Sequence, residues 1–134
     1  MKKKVLKKAI DIAHAMCPDM RKRGLRASHV AFLVKKNRIV KIGWNKAKTN
    51  PNSKRYPYIG QTGEKIEVNT HAELDVILKS GQENLSDHEI IVLRVDGEGK
   101  LNNSKPCNGC HHLLKQVSIK KIYYSNSKGE VNNI

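Results

Sequence analysis

Hydrophobic positions near the start of the chain repeat with helical spacing. Val5, Ala9, Ala13 and Cys17, with Leu6, Ile10 and Met16 beside them, form one stripe, and Lys2, Lys3, Lys4, Lys7 and Lys8 line the opposite, wet side. Pro18 and Gly24 are stop signals, so this helix is expected to end near them. Residues 29–34 are apolar almost throughout, which predicts a strand covered on both faces. Lys35-Lys36-Asn37 makes a turn, and residues 38–44 return with Val40, Ile42 and Trp44 expected on one face.

From 45 to 69 the pattern dissolves into a long polar segment with Asn50-Pro51, Pro57, Gly60 and Gly63, a length that in a small domain marks a functional or mobile loop. Residues 71–79 predict a short helix capped by Asn69 or Thr70, packed through Leu74, Ile77 and Leu78, and ended by Ser80-Gly81. Residues 89–95 form a near-continuous apolar strand. Residues 107–117 predict a second helix, with Pro106 suited to its first turn and Leu113, Leu114 and Val117 inward. Residues 119–124 predict a last clear strand. Strands alternating with helices imply crossover connections and a mostly parallel sheet in this half, so the fold class is α/β. No repeat or linker divides the chain, which is expected to form a single domain over 1–134.

Composition narrows the setting. No run approaches eighteen apolar residues, which excludes a membrane-spanning helix, and Lys7, Lys8, Asp11 and His14 interrupt the apolar core that a signal peptide needs. Three cysteines, an odd number, argue against a disulfide framework and for a reduced, cytoplasmic chain. The net charge of +14 invites a polyanion. Twenty of the 26 basic residues are lysines, accompanied by twelve asparagines. A-rich coding could account for that excess without selection for binding, although it does not account for only 12 acids.

The chemistry concentrates at two expected helix starts, Thr70-His71-Ala72-Glu73 and Lys105-Pro106-Cys107-Asn108-Gly109-Cys110. Cys107 and Cys110 share a helix face and can grip one ion, and a helix N-terminus favours thiolate over thiol. With the imidazole of His71 they make an N, S, S donor set, a zinc site with one position open. Glu73 diverges from His71 too far to be an obvious fourth ligand but can approach the same pocket. Zinc lowers the pKa of a water it holds towards ~7, and a nearby carboxylate can take and return the proton. His111, His112 and Cys17 are spare donors; a fourth ligand among them would close the site and make the zinc merely structural.

His71-Ala72-Glu73 followed 36 residues later by Pro106-Cys107-Asn108-Gly109-Cys110 resembles the H-x-E…P-C-x-x-C signature of the cytidine and deoxycytidylate deaminase superfamily. A leading helix, a hairpin ending Gly43-Trp44-Asn45, a substrate-side loop and two motif helices extend the resemblance over most of the chain. It implies a three-layer α/β/α fold around a mixed sheet of four to five strands, and one zinc per chain on His71, Cys107 and Cys110. It further implies that Glu73 is the catalytic proton shuttle, that the backbone amide of Ala72 holds the ring carbonyl, and that Asn45 contacts sugar or base. Tyr123-Tyr124 end the last clear strand where a substrate-facing loop is expected. Tyr124 is the candidate contact there, although core packing of at least one tyrosine is the competing reading, as it is for Trp44.

Several features place the chain within the superfamily. His71 stands where the free-cytidine branch usually has Cys, which favours the deoxycytidylate, transfer-RNA and polynucleotide branches. Only ten residues follow Tyr124, so residues 130–134 can supply at most a short fifth strand. The resemblance favours a cytosine nucleotide of the deoxycytidylate or cytidylate type as substrate and a homo-oligomeric assembly. The alternative is a cytosine deaminase acting on single-stranded DNA or RNA along a basic track of Lys46, Lys48, Lys54 and Arg55 with Tyr56 and Tyr58, joined by Arg21, Lys22, Arg23 and Arg26. Six aromatic residues are few for such a reader. A binding module with a structural zinc is the remaining alternative.

Overall fold

The structure, a computed structural model, describes residues 1–22, 28–46, 58–59, 65–66 and 71–134. Among the described residues, three helices, α1 (Lys3–Lys22), α2 (Ala72–Ser80) and α3 (Asn108–Gln116), accompany eight strands. The main sheet contains β1 (Ser28–Lys35), β2 (Arg38–Trp44), β5 (Glu89–Val95), β6 (Leu101–Asn102), β7 (Lys121–Ser125) and β8 (Val131–Asn133). Its order is β2-β1-β5-β7-β8, with β6 paired to the end of β5. Within the long polar segment, β3 (Tyr58–Ile59) and β4 (Lys65–Ile66) form a separate antiparallel ribbon.

The pleat splits β1 and β5 cleanly between two cores. Val30, Phe32 and Val34, with Ile91, Leu93 and Val95, pack under α1 through Val5, Ala9, Ala13, Cys17 and Met20. Ala31, Leu33, Ile90 and Val92 face α2 and α3 through Leu74, Val76, Ile77, Cys110, Leu113 and Leu114. The result is the α/β/α arrangement with a mixed sheet. It has six strands rather than four to five because two short turns each return the chain. Asp96 accepts the N–H groups of Glu98 (2.9 Å) and Lys100 (3.0 Å) and leads into β6. Asn126 does the same for Lys128 and Glu130 (both 2.9 Å) and leads into β8. Gly99 and Gly129 take the positive φ these turns need, 79° and 78°. The second half is not mostly parallel: β5–β7 is parallel, whereas β8 and β6 join antiparallel.

Two further expectations are corrected. Helix α1 continues through Pro18 to Lys22. Met20 is buried beyond the proline, and the Arg21 guanidinium donates to the Asp96 carbonyl, so tertiary contacts hold the last turn. In β2 the pairing passes from Leu33↔Lys41 to Val34↔Ile39, leaving Val40 without a partner. This bulge turns Val40 out to solvent and brings Ile39 onto the α1 side with Ile42 and Trp44. The hairpin turn itself places Lys36 and Asn37 at φ 51° and 60°, the left-handed pair that a two-residue hairpin favours.

One close approach fixes the site's geometry. A Cβ built on Gly43 would lie 2.5 Å from the Val76 backbone nitrogen and 2.7 Å from its Cβ. Glycine is what lets β2 pass against α2, the helix that carries the histidine motif.

Candidate metal centre

His71 and Cys107 both stand at helix N-caps. The His71 carbonyl accepts the Asp75 N–H (3.0 Å), with no side-chain cap, so the imidazole is not committed to its own helix. Cys107 caps α3 directly, its Sγ accepting the Cys110 N–H at 3.5 Å. The two helix starts meet on one side of the sheet. His71 Nδ1 lies 3.3 Å from Cys110 Sγ and 3.8 Å from Cys107 Sγ. All three donor atoms fall within 4.8 Å of one another, and among the described residues no fourth His, Cys, Asp or Glu joins them.

That donor set fits zinc. Tetrahedral bonds of ~2.0 Å to nitrogen and ~2.3 Å to sulfur imply an N···S edge of about 3.5 Å, and the two observed separations bracket it. Electrostatics agree. Cys107 is pulled down to about 4, first by the Cys110 thiol and also by His71, against the opposing effect of burial. His71 is raised, chiefly by its hydrogen bond with Cys107. The sulfur is therefore held as thiolate, the form that binds metal. His111 and His112 stand outside the group, and Cys17 is buried under α1 on the opposite face of the sheet.

Glu73 is the second residue of α2, in its first turn, and is 5% exposed. Burial pushes its carboxyl above the usual carboxylate range, while its own backbone N–H, Cys110 and His71 pull the other way. Ala72, fully buried, is the first residue of α2, so its N–H is among those a helix leaves without an internal acceptor.

Asn45 follows β2 and is tied reciprocally to the start of β1. Its Oδ1 accepts the His29 N–H (3.0 Å), and its own N–H donates to the His29 carbonyl (3.2 Å). Tyr124 sits half-buried near the end of β7, paired with Val92. By the pleat it shares the α2/α3 side with Ile122, whereas Tyr123 packs toward α1. Trp44 is half-buried on the α1-side core. Of the proposed basic track, Lys46 is ion-paired with buried Asp75 at 2.8 Å, and Arg21 is bonded to Asp96. Lys48, Lys54, Arg55, Tyr56, Arg23 and Arg26 lie outside the described residues; so do Asn69 and Thr70, and the expected cap is corrected, because α2 starts at Ala72 and His71 itself is its N-cap.

Three residues near the centre escape sequence reasoning. Asp75 is a buried acid on α2. His29 and Arg94 are cross-strand partners on β1 and β5, and His29 falls to about 4 through burial, then Arg94, then His71. The signal that could have found His29 and Arg94 is a polar residue interrupting an otherwise apolar strand; Asp75, on a helix, gives no such signal.

The family model for the cytidine and deoxycytidylate deaminase zinc-binding region matches residues 3–126. No curated protein shows a significant match. Among solved structures, the chain is similar to the dCMP deaminase of cyanophage S-TIM5 in complex with dCMP and dUMP. The TM-score is 0.57 at 21% identity, covering 95% of this chain and 85% of that one. The apo form of the same enzyme gives 0.57 at 20% identity, covering 95% and 86%. With its three metal donors gathered at two helix starts and nearly its whole length matched, the chain belongs to the cytidine and deoxycytidylate deaminase family.

Proposed function

We propose that the protein hydrolyses the amino group from the cytosine base of a deoxycytidylate- or cytidylate-type nucleotide, giving uracil and ammonia. The observation that carries this reading is a buried carboxylate, Glu73, beside a group of three zinc-type donors that no fourth His, Cys, Asp or Glu joins among the described residues. Three protein ligands leave the position that catalytic sites keep open. His71, Cys107 and Cys110 would hold the zinc, which when bound supplies a Lewis acid that makes water nucleophilic near neutral pH.

Glu73 takes one proton from the water that adds to the amino-bearing ring carbon and passes it to the ring nitrogen; it then takes the second proton, from the hydroxyl now on that carbon, and gives it to the amino group, which leaves as ammonia while the carbonyl forms. Burial raises its carboxyl above the usual carboxylate range, the direction that eases its carrying a proton between water and base. The Ala72 N–H, at the positive end of α2, holds the ring carbonyl. Asn45 contacts the sugar, its side chain oriented by His29, and Tyr124 supplies an aromatic face beside the base.

A nucleotide substrate is also supported at Lys46, which is paired with Asp75 rather than left for a strand. The test offers the zinc-loaded protein dCMP, cytidine, a single-stranded oligonucleotide and transfer RNA in parallel, with ammonia release and base identity as readouts. Turnover of dCMP to dUMP is expected. Deamination of the oligonucleotide or transfer RNA with none of dCMP would overturn the nucleotide assignment.

A further inference from the structure

Arg94 breaks the apolar run of β5 at its outgoing end, directly opposite His29 of β1. The register fixes where it points. Ile90 and Val92 precede it by even steps and pack against α2 and α3, so the Arg94 side chain stands on that same side of the sheet. Its cross-strand partner His29 is coupled electrostatically to His71 and bonded through its backbone to Asn45. Asn45, His29 and Arg94 thus form a row across three adjacent strands, flanking the metal centre.

The position is rigidly held. The Arg94 N–H donates to Ser125 Oγ at 3.2 Å. Ser125 Oγ donates to the Asn102 carbonyl (2.6 Å) and is 2.8 Å from Ser104 Oγ, which in turn donates to the Val92 carbonyl (2.6 Å). This buried serine pair locks the ends of β5, β6 and β7 together. Among the described residues the guanidinium has no ion-pair partner, and its Nε is buried with no hydrogen-bond partner. An orphaned buried donor on a fixed cation is unfavourable unless a ligand completes it, and a guanidinium fork matches the oxygens of a phosphate.

We propose that Arg94 is a phosphate anchor, binding a phosphate of the nucleotide whose base reaches the metal centre. The inference rests on the cytosine-nucleotide reading and deepens it. Arg94 explains how a phosphorylated substrate is told from a nucleoside, which Glu73 and the zinc ligands cannot do.

Arginine modification by phenylglyoxal, mapped by mass spectrometry on the zinc-loaded wild-type protein, tests this without requiring turnover. Inorganic phosphate and dCMP should protect Arg94, and deoxycytidine should not. A cytosine oligonucleotide protecting where dCMP fails would assign the phosphate to a polynucleotide. Protection by deoxycytidine equal to that by dCMP, or by none of the four, overturns the anchor.

Kinetics provide the second arm. Arg94→Gln should lower kcat/KM for dCMP roughly 10- to 100-fold, the effect of one hydrogen bond to a charged group, while leaving deoxycytidine within about threefold. Arg94→Lys should recover part of the loss because it restores the charge without the fork. Equal losses on both substrates would make Arg94 structural. Wild-type protein that deaminates neither substrate would instead refute the proposed activity, with the protection experiment still deciding the phosphate site.

Discussion

Buried Asp75 of α2 accepts the backbone N–H of Trp44 at 3.0 Å, so a helix carboxylate holds the outgoing end of edge strand β2. The same carboxylate pairs with Lys46 at 2.8 Å and Lys79 at 2.9 Å, and the Lys79 ammonium lies 3.4 Å from the Trp44 ring centroid. The residue after Trp44 is Asn45 and the motif residue two before Asp75 is Glu73. One side chain therefore sets the spacing between the strand end that carries Asn45 and the helix that carries Glu73.

Asp75→Ala strands the Trp44 N–H and removes the partner of two ammonium groups. The expected loss is about 1–3 kcal/mol, mostly from the unsatisfied buried donor, since both lysines are partly exposed and solvent screens them. Asp75→Asn retains an acceptor and should lose less. Urea unfolding followed by the single tryptophan measures both; an alanine variant within about 0.5 kcal/mol of wild type would show that the contact is idle.

Gly43→Ala should destabilise by about 1–3 kcal/mol, the usual range for overpacking. The nearest obstacle is backbone, the Val76 nitrogen at 2.5 Å, so a rotamer change cannot relieve it. Denaturation midpoints compare the variants, and an unchanged midpoint would mean that β2 and α2 separate freely.

His29 gives a pH signature. Its folded value of about 4 lies below the ordinary 6.5, so its contribution is intact above pH 6.5 and declines as acid protonates the unfolded chain first, with the loss complete near pH 4. The slope in that window approaches at most about 1.4 kcal/mol per pH unit. Unfolding free energies of wild type and His29→Gln between pH 4 and 6.5 should therefore converge or cross as pH falls. A constant difference across the window would contradict the half-buried neutral histidine.

Cys107→Ala and Cys110→Ala should each reduce zinc from one per chain to near none and lower the unfolding temperature, because the ion ties α2 to α3. Metal analysis after dialysis checks it. Full zinc in either variant would remove that cysteine from the donor set.

Local signals made much of this protein legible. Strands β2 and β5 occupy the residues their patterns predict, 38–44 and 89–95, because turn residues or polar flanks bound continuous runs. The motif histidine and cysteines fall at helix starts because their neighbours encode those starts. What escaped depends on partners distant in sequence. Pro18 fails to stop α1 because Met20 and Arg21 find contacts elsewhere. The Val40 bulge is invisible to a period of two. Asp75, His29 and Arg94 acquire meaning only through register and helix placement, which no spacing along the chain reveals.

In the proposed reaction Glu73 carries the proton transfers of a zinc-dependent cytosine deamination. This role is tested most directly by comparing dCMP turnover in zinc-loaded wild type and Glu73→Gln, with zinc content measured in both. The expected result is equal zinc and a rate reduced by ~10⁴-fold or more, the upper end for a general acid–base group that serves several transfers. A loss below about tenfold, with zinc retained, would contradict the account and return Glu73 to the role of a buried helix residue beside a structural metal.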